Sequence, residues 1–556
     1  MALLALAASN VAWAQAQLPS GVLPSQQPLQ PPSFRKPPAE SLKLPKPAAP
    51  AEGALPSAIR IEVRKFQITG NTVFTDAELA EIAAPFENRQ ITSTELEELR
   101  QRLTKHYIDA GYINSGAVIP DQKVADGVVQ IRIIEGRLTQ TEIEGTEHFN
   151  KSYFTDRIEL HAGPPLNIRN LESELQILLR DPMVKSMKAQ LEPGQQPGEA
   201  VLKAQVEEAP RVDLSLVVDN KIAPALGEVR GTLLGSVNNL VGVGDQLSGE
   251  FGYADGIPYN FKARYRIPIN ARDTSIGVHY ENVKAKVVES PFNQLDIQSR
   301  LETVGADINH PIYFSPDEVL NVGAIVERRK TKSSLLGVPF SFSPGVNNGE
   351  ATVSVARLVG DYVNRGRNQV IAARGTLSVG LHAFGATINP GNEPDSSFTA
   401  FLGQFQWVRR LSERGDTLHL RADFQYTNDG LLPVEQYAVG GLDSVRGYRA
   451  FQLLRDKGYT ASVEYRAPLL SDPTGVRNLQ IAAYIDAGGA KFNNRQNPGP
   501  SDLVGIGTGL IWNPSREFSA ELYYAYGFNA VPEPSSHSIQ DDSLYFRVII
   551  HPSWFN

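Results

Sequence analysis

"DTLHLRADFQYT", residues 416–427, alternates without a slip. Leu418, Leu420, Ala422, Phe424 and Tyr426 share one face, and Thr417, His419, Arg421, Asp423 and Gln425 share the other. Side chains of an extended chain point alternately to opposite sides, so this period of two predicts a strand with an apolar and a polar face. The same division recurs in "GYTASVEYRA" (458–467), where Tyr459, Ala461, Val463 and Tyr465 oppose Thr460, Ser462, Glu464 and Arg466. In "EFSAELYYAYGF" (517–528), Phe518, Leu522, Tyr524 and Tyr526 oppose Glu517, Ser519 and Glu521.

A soluble β-sandwich also alternates, but three features of residues 210–556 point to a transmembrane β-barrel. The segments are about twice as long as the five to six residues usual for soluble strands. Their apolar face is rich in Tyr, Phe and Leu while the other carries charges, as expected with lipid outside and water inside. Short connections ("RLSERGD", "NPSRE") alternate with long ones (282–295, 331–349, 428–456), the pattern of periplasmic turns and outer loops. We count 16 such segments, the first starting near residue 211 and the last near 542. An even count returns both ends to the periplasmic side, and a ring of this size encloses an aqueous lumen.

Upstream the texture differs. Residues 1–14, "MALLALAASNVAWA", form a short apolar run ending in a small-x-small site, the pattern of a signal peptide, although no Lys or Arg precedes Arg35. Residues 15–58 are rich in Pro and Gln and are expected to form a linker with no packed core. From residue 59 helical spacing appears between strand-like runs. "IRIEVRKFQITG" reads as one strand, "TSTELEELRQRLTKHYIDAGY" carries Leu96, Leu99, Leu103 and Tyr107 on one helical face, and Thr92 with Glu95 forms a capping-box pattern. A second copy follows, giving two α+β modules at 59–136 and 137–209. After residue 14 no apolar run reaches the roughly 18 residues of a spanning helix, so a membrane role requires the barrel.

The remaining composition narrows the chemistry. With 53 basic and 61 acidic residues the net charge is -8, and no basic patch interleaved with aromatics suggests nucleic acid as a partner. There is no cysteine. The nine histidines are scattered, and neither a zinc-protease nor a nucleophile-elbow motif occurs, so no enzyme activity, metal or cofactor is expected. "GIGTGLIW" (505–512) lacks the Gly-Lys-Ser/Thr of a phosphate loop and alternates as a barrel strand.

"GNTVFTDAEL" (70–79), "YIDAGYINSGAVIPDQ" (107–122) and "IIEGRL" (133–138) resemble the first polypeptide-transport-associated (POTRA) domain of the two-partner secretion transporters. These are outer-membrane exporters of haemolysin type within the outer-membrane insertase superfamily. "GPPLNIRNLESELQILL" (163–179) and "LEPGQQPGEAVLKAQVEE" (191–208) resemble its second POTRA domain. The resemblance spans residues 60 to 556. In that family a Val-Arg-Gly-Tyr tetrad at the tip of the sixth outer loop folds into the barrel, and its arginine pairs with an aspartate on the thirteenth strand. The matching residues are Val445, Arg446, Gly447 and Tyr448, with Asp486 in "YIDAGG". The pattern agrees independently: in "RNLQIAAYIDAG", Leu479, Ile481, Ala483 and Ile485 share the apolar face, which leaves Asp486 on the polar, lumenal one. Many members have an N-terminal plug helix, which the prolines of residues 15–57 disfavour here.

The resemblance implies a pore in the outer membrane of a Gram-negative cell, with its POTRA domains in the periplasm. These would recognise a large secreted, β-helical exoprotein for export, the chain itself being monomeric. An insertase and a passive porin or receptor are the competing classes. A cargo would add a strand to a free POTRA edge, with candidate contacts on "AVLKAQVEE" (200–208) and its neighbouring helix; alternation alone does not say which edge is free.

Overall fold

The computed structural model describes residues 60–471, 478–532 and 536–552, together with positions 29, 34, 42 and 43. The expected signal peptide and most of the linker lie outside the described residues. The described chain falls into two compact units, one drawn from residues 37–209 with Val241–Gly244 and the other from the remainder.

In the first module of the smaller unit, α1 (Asp76–Ala83) and α2 (Ser93–Asp109) pack on strands Lys65–Thr69, Val128–Ile134 and Gly116–Val118. Both helices open with a capping box, Thr75 with Glu78 and Thr92 with Glu95, which satisfies amides that the first helical turn leaves unpaired. Leu99, Leu103 and Tyr107 of α2 are fully buried against Phe66, Ile131 and Val63. The run read as one strand from Ile59 is two. Arg60–Val63 pairs with Arg89–Thr92 in a ribbon of its own, and the amides of Arg64 and Lys65 turn to the Gly127 carbonyl. The partner that breaks the strand is more than sixty residues away, so nothing local announces it.

The second module repeats the plan with α3 (Lys151–Ala162) and α4 (Ile168–Leu178) on a sheet ordered Leu42–Lys43, Val184–Pro193, Glu199–Glu208, Arg137–Glu144. Its centre is Phe154, Ile158, Leu171, Leu175 and Leu202. The candidate cargo strand at 200–208 is not a free edge. Glu199–Glu208 is an interior strand, hydrogen-bonded on both sides; the sheet ends in Arg137–Glu144 on one side and, on the other, in Leu42–Lys43 paired to the middle of Val184–Pro193.

Both modules close the loop before their first helix with a carboxylate from the end of the last strand. Glu135 accepts the amides of Thr72 (2.6 Å) and Val73 (2.9 Å) and the hydroxyls of Thr72 and Tyr107. Glu208 accepts the amides of Glu147, His148 and Phe149 at 2.8–2.9 Å. Each loop begins with a glycine at positive φ, Gly70 or Gly145, where a Cβ would lie 2.4 Å from a carbonyl of the neighbouring strand.

The larger unit is a closed antiparallel barrel. Among the described residues it has sixteen strands: β1 Val212–Asp219, β2 Arg230–Asn238, β3 Gln246–Ala254, β4 Ile257–Pro268, β5 Ser275–Lys286, β6 Gln298–Phe314, β7 Glu318–Leu335 and β8 Glu350–Arg365. The ring continues through β9 Gln369–Gly380, β10 Thr399–Arg410, β11 Thr417–Thr427, β12 Lys457–Ser471, β13 Asn478–Lys491, β14 Asp502–Asn513, β15 Phe518–Gly527 and β16 Leu544–Ile550. A two-residue strand, Val338–Pro339, extends the hairpin after β7. β1 pairs with β16 from Leu216 opposite Ile550 to Asp219 opposite Arg547, which closes the ring. In β11, Phe424 and Tyr426 face outward, about half exposed, and Asp423, Gln425 and Thr427 are buried inside. The long loops start later than read from sequence: β5 continues to Lys286 and β7 to Leu335, because both hairpins extend well beyond the apolar band.

Partial burial pushes the Glu135 carboxyl up, but the Thr72 hydroxyl and amide, the Val73 amide and the Tyr107 hydroxyl outweigh it and hold it below the usual carboxylate range. A group lowered on folding stabilises above its unfolded value and loses that contribution as pH falls through its folded value. Glu135→Gln should therefore speed hydrogen exchange of residues 70–75 in the full-length protein at pH 7. The gap from wild type, compared at matched pH, should close as the solution is acidified below about pH 4.

Candidate functional site

The connection between β11 and β12, residues 428–456, is the sixth outer loop, and it folds into the barrel. It carries its own ribbon, Tyr437–Val439 paired with Leu453–Arg455. Tyr437, Val439, Val445, Tyr448 and Leu453 pack on Ala490 of β13 and Leu503 of β14. The Tyr437 hydroxyl donates to the Asp423 carbonyl of β11 (3.1 Å).

The packing delivers the tip, and the ion pairing registers it. Arg446 donates through Nε to Asp486 Oδ2 (2.7 Å) and through Nη2 to Oδ1 (2.9 Å), a bidentate contact, and its own amide also reaches Oδ2 (3.1 Å). Nη1 donates to Glu464 Oε2 on β12 (2.5 Å) and Nη2 to Ser462 Oγ (3.3 Å). The Ser462 hydroxyl donates in turn to Asp486 Oδ1 (2.6 Å). The guanidinium lies flat on the Tyr484 ring, 3.3 Å from its centroid, with Tyr523 beyond at 4.8 Å. Arg446 is 5 % and Asp486 0 % exposed, so both charges have given up their water and depend on each other.

The other members of the tetrad set the backbone. Val445 is fully buried. Gly447 has φ 100°, and a Cβ there would lie 2.9 Å from the Gly527 amide nitrogen, so no other residue holds both the turn and the approach. Its N–H donates to Tyr545 Oη of β16 (2.9 Å), whose hydroxyl donates to the Tyr448 carbonyl (2.8 Å). Tyr448 Oη donates to the Val504 carbonyl (2.8 Å) and accepts the Asn529 amide (2.9 Å).

Sequence reasoning placed Glu464 and Ser462 on the lumenal face without a role. It also missed the glycines of "GIGTGLIW". On β14 the inward positions Gly505, Gly507 and Gly509 leave room for the Arg446 carbonyl, the Tyr484 hydroxyl and the Tyr523 ring, which a Cβ would meet at 2.0, 2.4 and 2.3 Å. The spacing of those glycines two apart was the available signal. Two described positions of the proline-rich segment meet β10: the Leu29 carbonyl accepts from Gln406 Nε2 (2.5 Å), and the Phe34 ring lies 4.9 Å from the Arg410 guanidinium. Among the described residues no cluster of His, Asp and Glu has metal-binding geometry.

Comparison with known proteins places this architecture. Residues 198–511 match the family described as haemolysin secretion/activation protein ShlB/FhaC/HecB, and residues 61–136 match the POTRA domain, ShlB-type. The chain is 22 % identical over 482 residues to the heme/hemopexin transporter protein HuxB of Haemophilus influenzae, covering 82 % of this chain and 80 % of that one. It is 25 % identical over 481 residues to the outer membrane transporter CdiB of Dickeya dadantii, covering 83 % and 81 %. Among solved structures, CdiB from Escherichia coli superposes with a TM-score of 0.69 at 22 % identity, covering 91 % of this chain and 92 % of that one, which establishes a common fold.

If Gly505 exists to admit the loop tip, Gly505→Ala should leave a barrel of normal heat-modifiable mobility while hydrogen exchange across residues 444–449 accelerates. Gly360→Ala on β8, where a Cβ meets nothing within 4 Å, should change neither.

Proposed function

The chain belongs to the haemolysin secretion/activation protein family, and from that membership we propose that it exports one large partner polypeptide across the outer membrane. The partner is bound in the periplasm by the α+β modules and passed through the barrel to the cell surface. The reading is carried by one observation: the lumen holds a length of its own polypeptide, whose tip sets Arg446 against two buried carboxylates, Asp486 and Glu464. A pore for small solutes has no use for a displaceable internal chain. An exporter needs one, closed at rest and moved aside for cargo.

In this reading the second module is also a POTRA domain, since it repeats the core, helix pair and carboxylate closure of the first. An extended segment of the cargo adds to Arg137–Glu144, the outer strand of its sheet, by main-chain pairing. With no nucleotide in the periplasm and no nucleotide motif in the chain, movement is driven by folding of the cargo outside. Arg446 and Asp486, supported by Glu464, form the lock that sets the resting position of the loop.

Removing residues 60–209 should abolish secretion of the partner while leaving a folded, conducting barrel. Undiminished secretion would rule out docking on the modules. In cells lacking the protein one secreted polypeptide should disappear from the medium, whereas an insertase would take many barrel proteins with it.

Arg446→Ala strands Asp486 fully buried, costing about 3–5 kcal/mol. That is enough to dislodge a loop and small beside the closed hydrogen-bond ladder of the barrel. Partner in the medium should fall sharply at equal barrel abundance, and conductance should change. Arg446→Lys should rescue little, since an ammonium cannot make the two-pronged contact or stack on Tyr484 as a plane. Asp486→Ala leaves Glu464 as a partner and should be milder, whereas Asp486→Ala combined with Glu464→Gln should match Arg446→Ala. Adding Arg446→Ala to that pair should bring no further loss, as expected of groups acting as one unit. Normal export by Arg446→Ala would remove the lock.

A further inference from the structure

The loop has a second buried charge, which is not part of the tip. Glu435 sits where the chain enters the barrel, on a short turn Pro433–Glu435, and is 3 % exposed. Its carboxylate accepts two hydrogen bonds from Arg357 Nη2 of β8, at 2.8 Å to Oε1 and 2.9 Å to Oε2. Arg329 Nη1 of β7 donates to Oε1 (3.1 Å) and to the Val434 carbonyl (2.8 Å). Glu327 accepts from Arg357 Nε at 3.2 Å, and its other carboxylate oxygen lies 3.1 Å from His279 Nε2. The tip lock lies on β12 and β13, five strands round the ring, so the two moorings share no residue.

What Glu435 moors is apolar. Leu431, Leu432 and Val434 beside it are almost completely buried against Ile222 and Leu226 of the first outer connection and Phe398 at the start of β10. Ile222 and Leu226 lie in the connection after β1 and Phe398 immediately before β10, which puts all three at the outer rim of the lumen. The root of the loop, not its tip, is the part packed at that rim.

We propose that Glu435 is the residue that keeps the outer mouth closed, moored to Arg357 and Arg329, and that this closure is separable from the tip lock at Arg446. The inference rests on the exporter reading, because a stopper at the rim matters to a pore that must pass a chain. In export the tip can leave its wall while the mouth stays shut, and the exit opens only when the root parts from β7 and β8. Loss of the Glu435 charge leaves the Arg329 and Arg357 guanidiniums of the wall buried against a neutral side chain, and that cost is relieved when the root moves away and admits water to them.

The absence of cysteine gives a direct test. Leu432→Cys is introduced into the full chain and labelled on intact cells with a membrane-impermeant maleimide, in four backgrounds: otherwise wild type, Glu435→Gln, Arg357→Met and Arg446→Ala. Glu435→Gln should raise the labelling rate at least about tenfold, the scale expected when a buried pair is broken. Arg446→Ala should leave it within about twofold, as expected of sites that share no partner. Arg357→Met, the reciprocal change, should reproduce Glu435→Gln. Basal labelling in both Glu435→Gln and Arg357→Met overturns the proposal, and so does equal labelling in Arg446→Ala. Failure of both root variants to reach the membrane as heat-modifiable barrels also overturns it, by making the cluster part of barrel formation. Labelling needs no partner, so a protein that secretes nothing yet shows this pattern would sink the exporter reading and leave the stopper standing.

Discussion

A backbone inside lipid has no water to bond, so every N–H and C=O of a spanning strand must find another strand, and the ladder has to run back to its own beginning. Here it does so through Leu216–Asp219 paired with Arg547–Ile550. Once the ring is closed, the outward half of each strand is committed to apolar side chains and the inward half is released from that requirement. The inward half is where Arg329, Arg357, Glu464 and Asp486 become affordable. Sixteen strands enclose more space than their own side chains occupy, and the sixth outer loop fills part of it.

The hold on that loop combines the buried ion pairs of Glu435 and Arg446 and the more exposed pairs of Asp443 and Arg449 with apolar packing between them. Replacing a buried ion pair with well-packed hydrophobic residues is often neutral or stabilising, so strength alone does not explain Arg446 or Glu435. Charges concentrate the hold in a few atoms and orient it. Tyr484 beneath the guanidinium, Ser462 between Arg446 and Asp486, and the inward glycines of β14 fix where the tip must sit.

Much of this was legible in the chain itself. Strict alternation at 416–427 and 517–528 is readable because lipid enforces it, and the strand starts fall within a few residues of those expected. The tetrad and Asp486 were recognisable as a family pattern, and alternation put Asp486 on the correct face. Glu464 was on the correct face as well. Its role depends on the register of β12 on β13, which sets Ser462 opposite Asp486, and no single segment encodes that register. Glu435 and its two arginines are distant in sequence and meet only because the loop turns inward. The interior place of Glu199–Glu208 was hidden for a similar reason: an edge strand and a central strand of a small sheet can share one pattern, and only pairing separates them.

The paired closures of the α+β modules carry a consequence for how such chains change over evolutionary time. Glu135 ties down the loop after Gly70, and Glu208 ties down the loop after Gly145, each within its own repeat and neither borrowed from the other. A unit that completes itself in this way is a cassette. Copies can be gained or lost by duplication or deletion without leaving an open loop behind, so the number of modules is free to drift while the pore they serve stays the same.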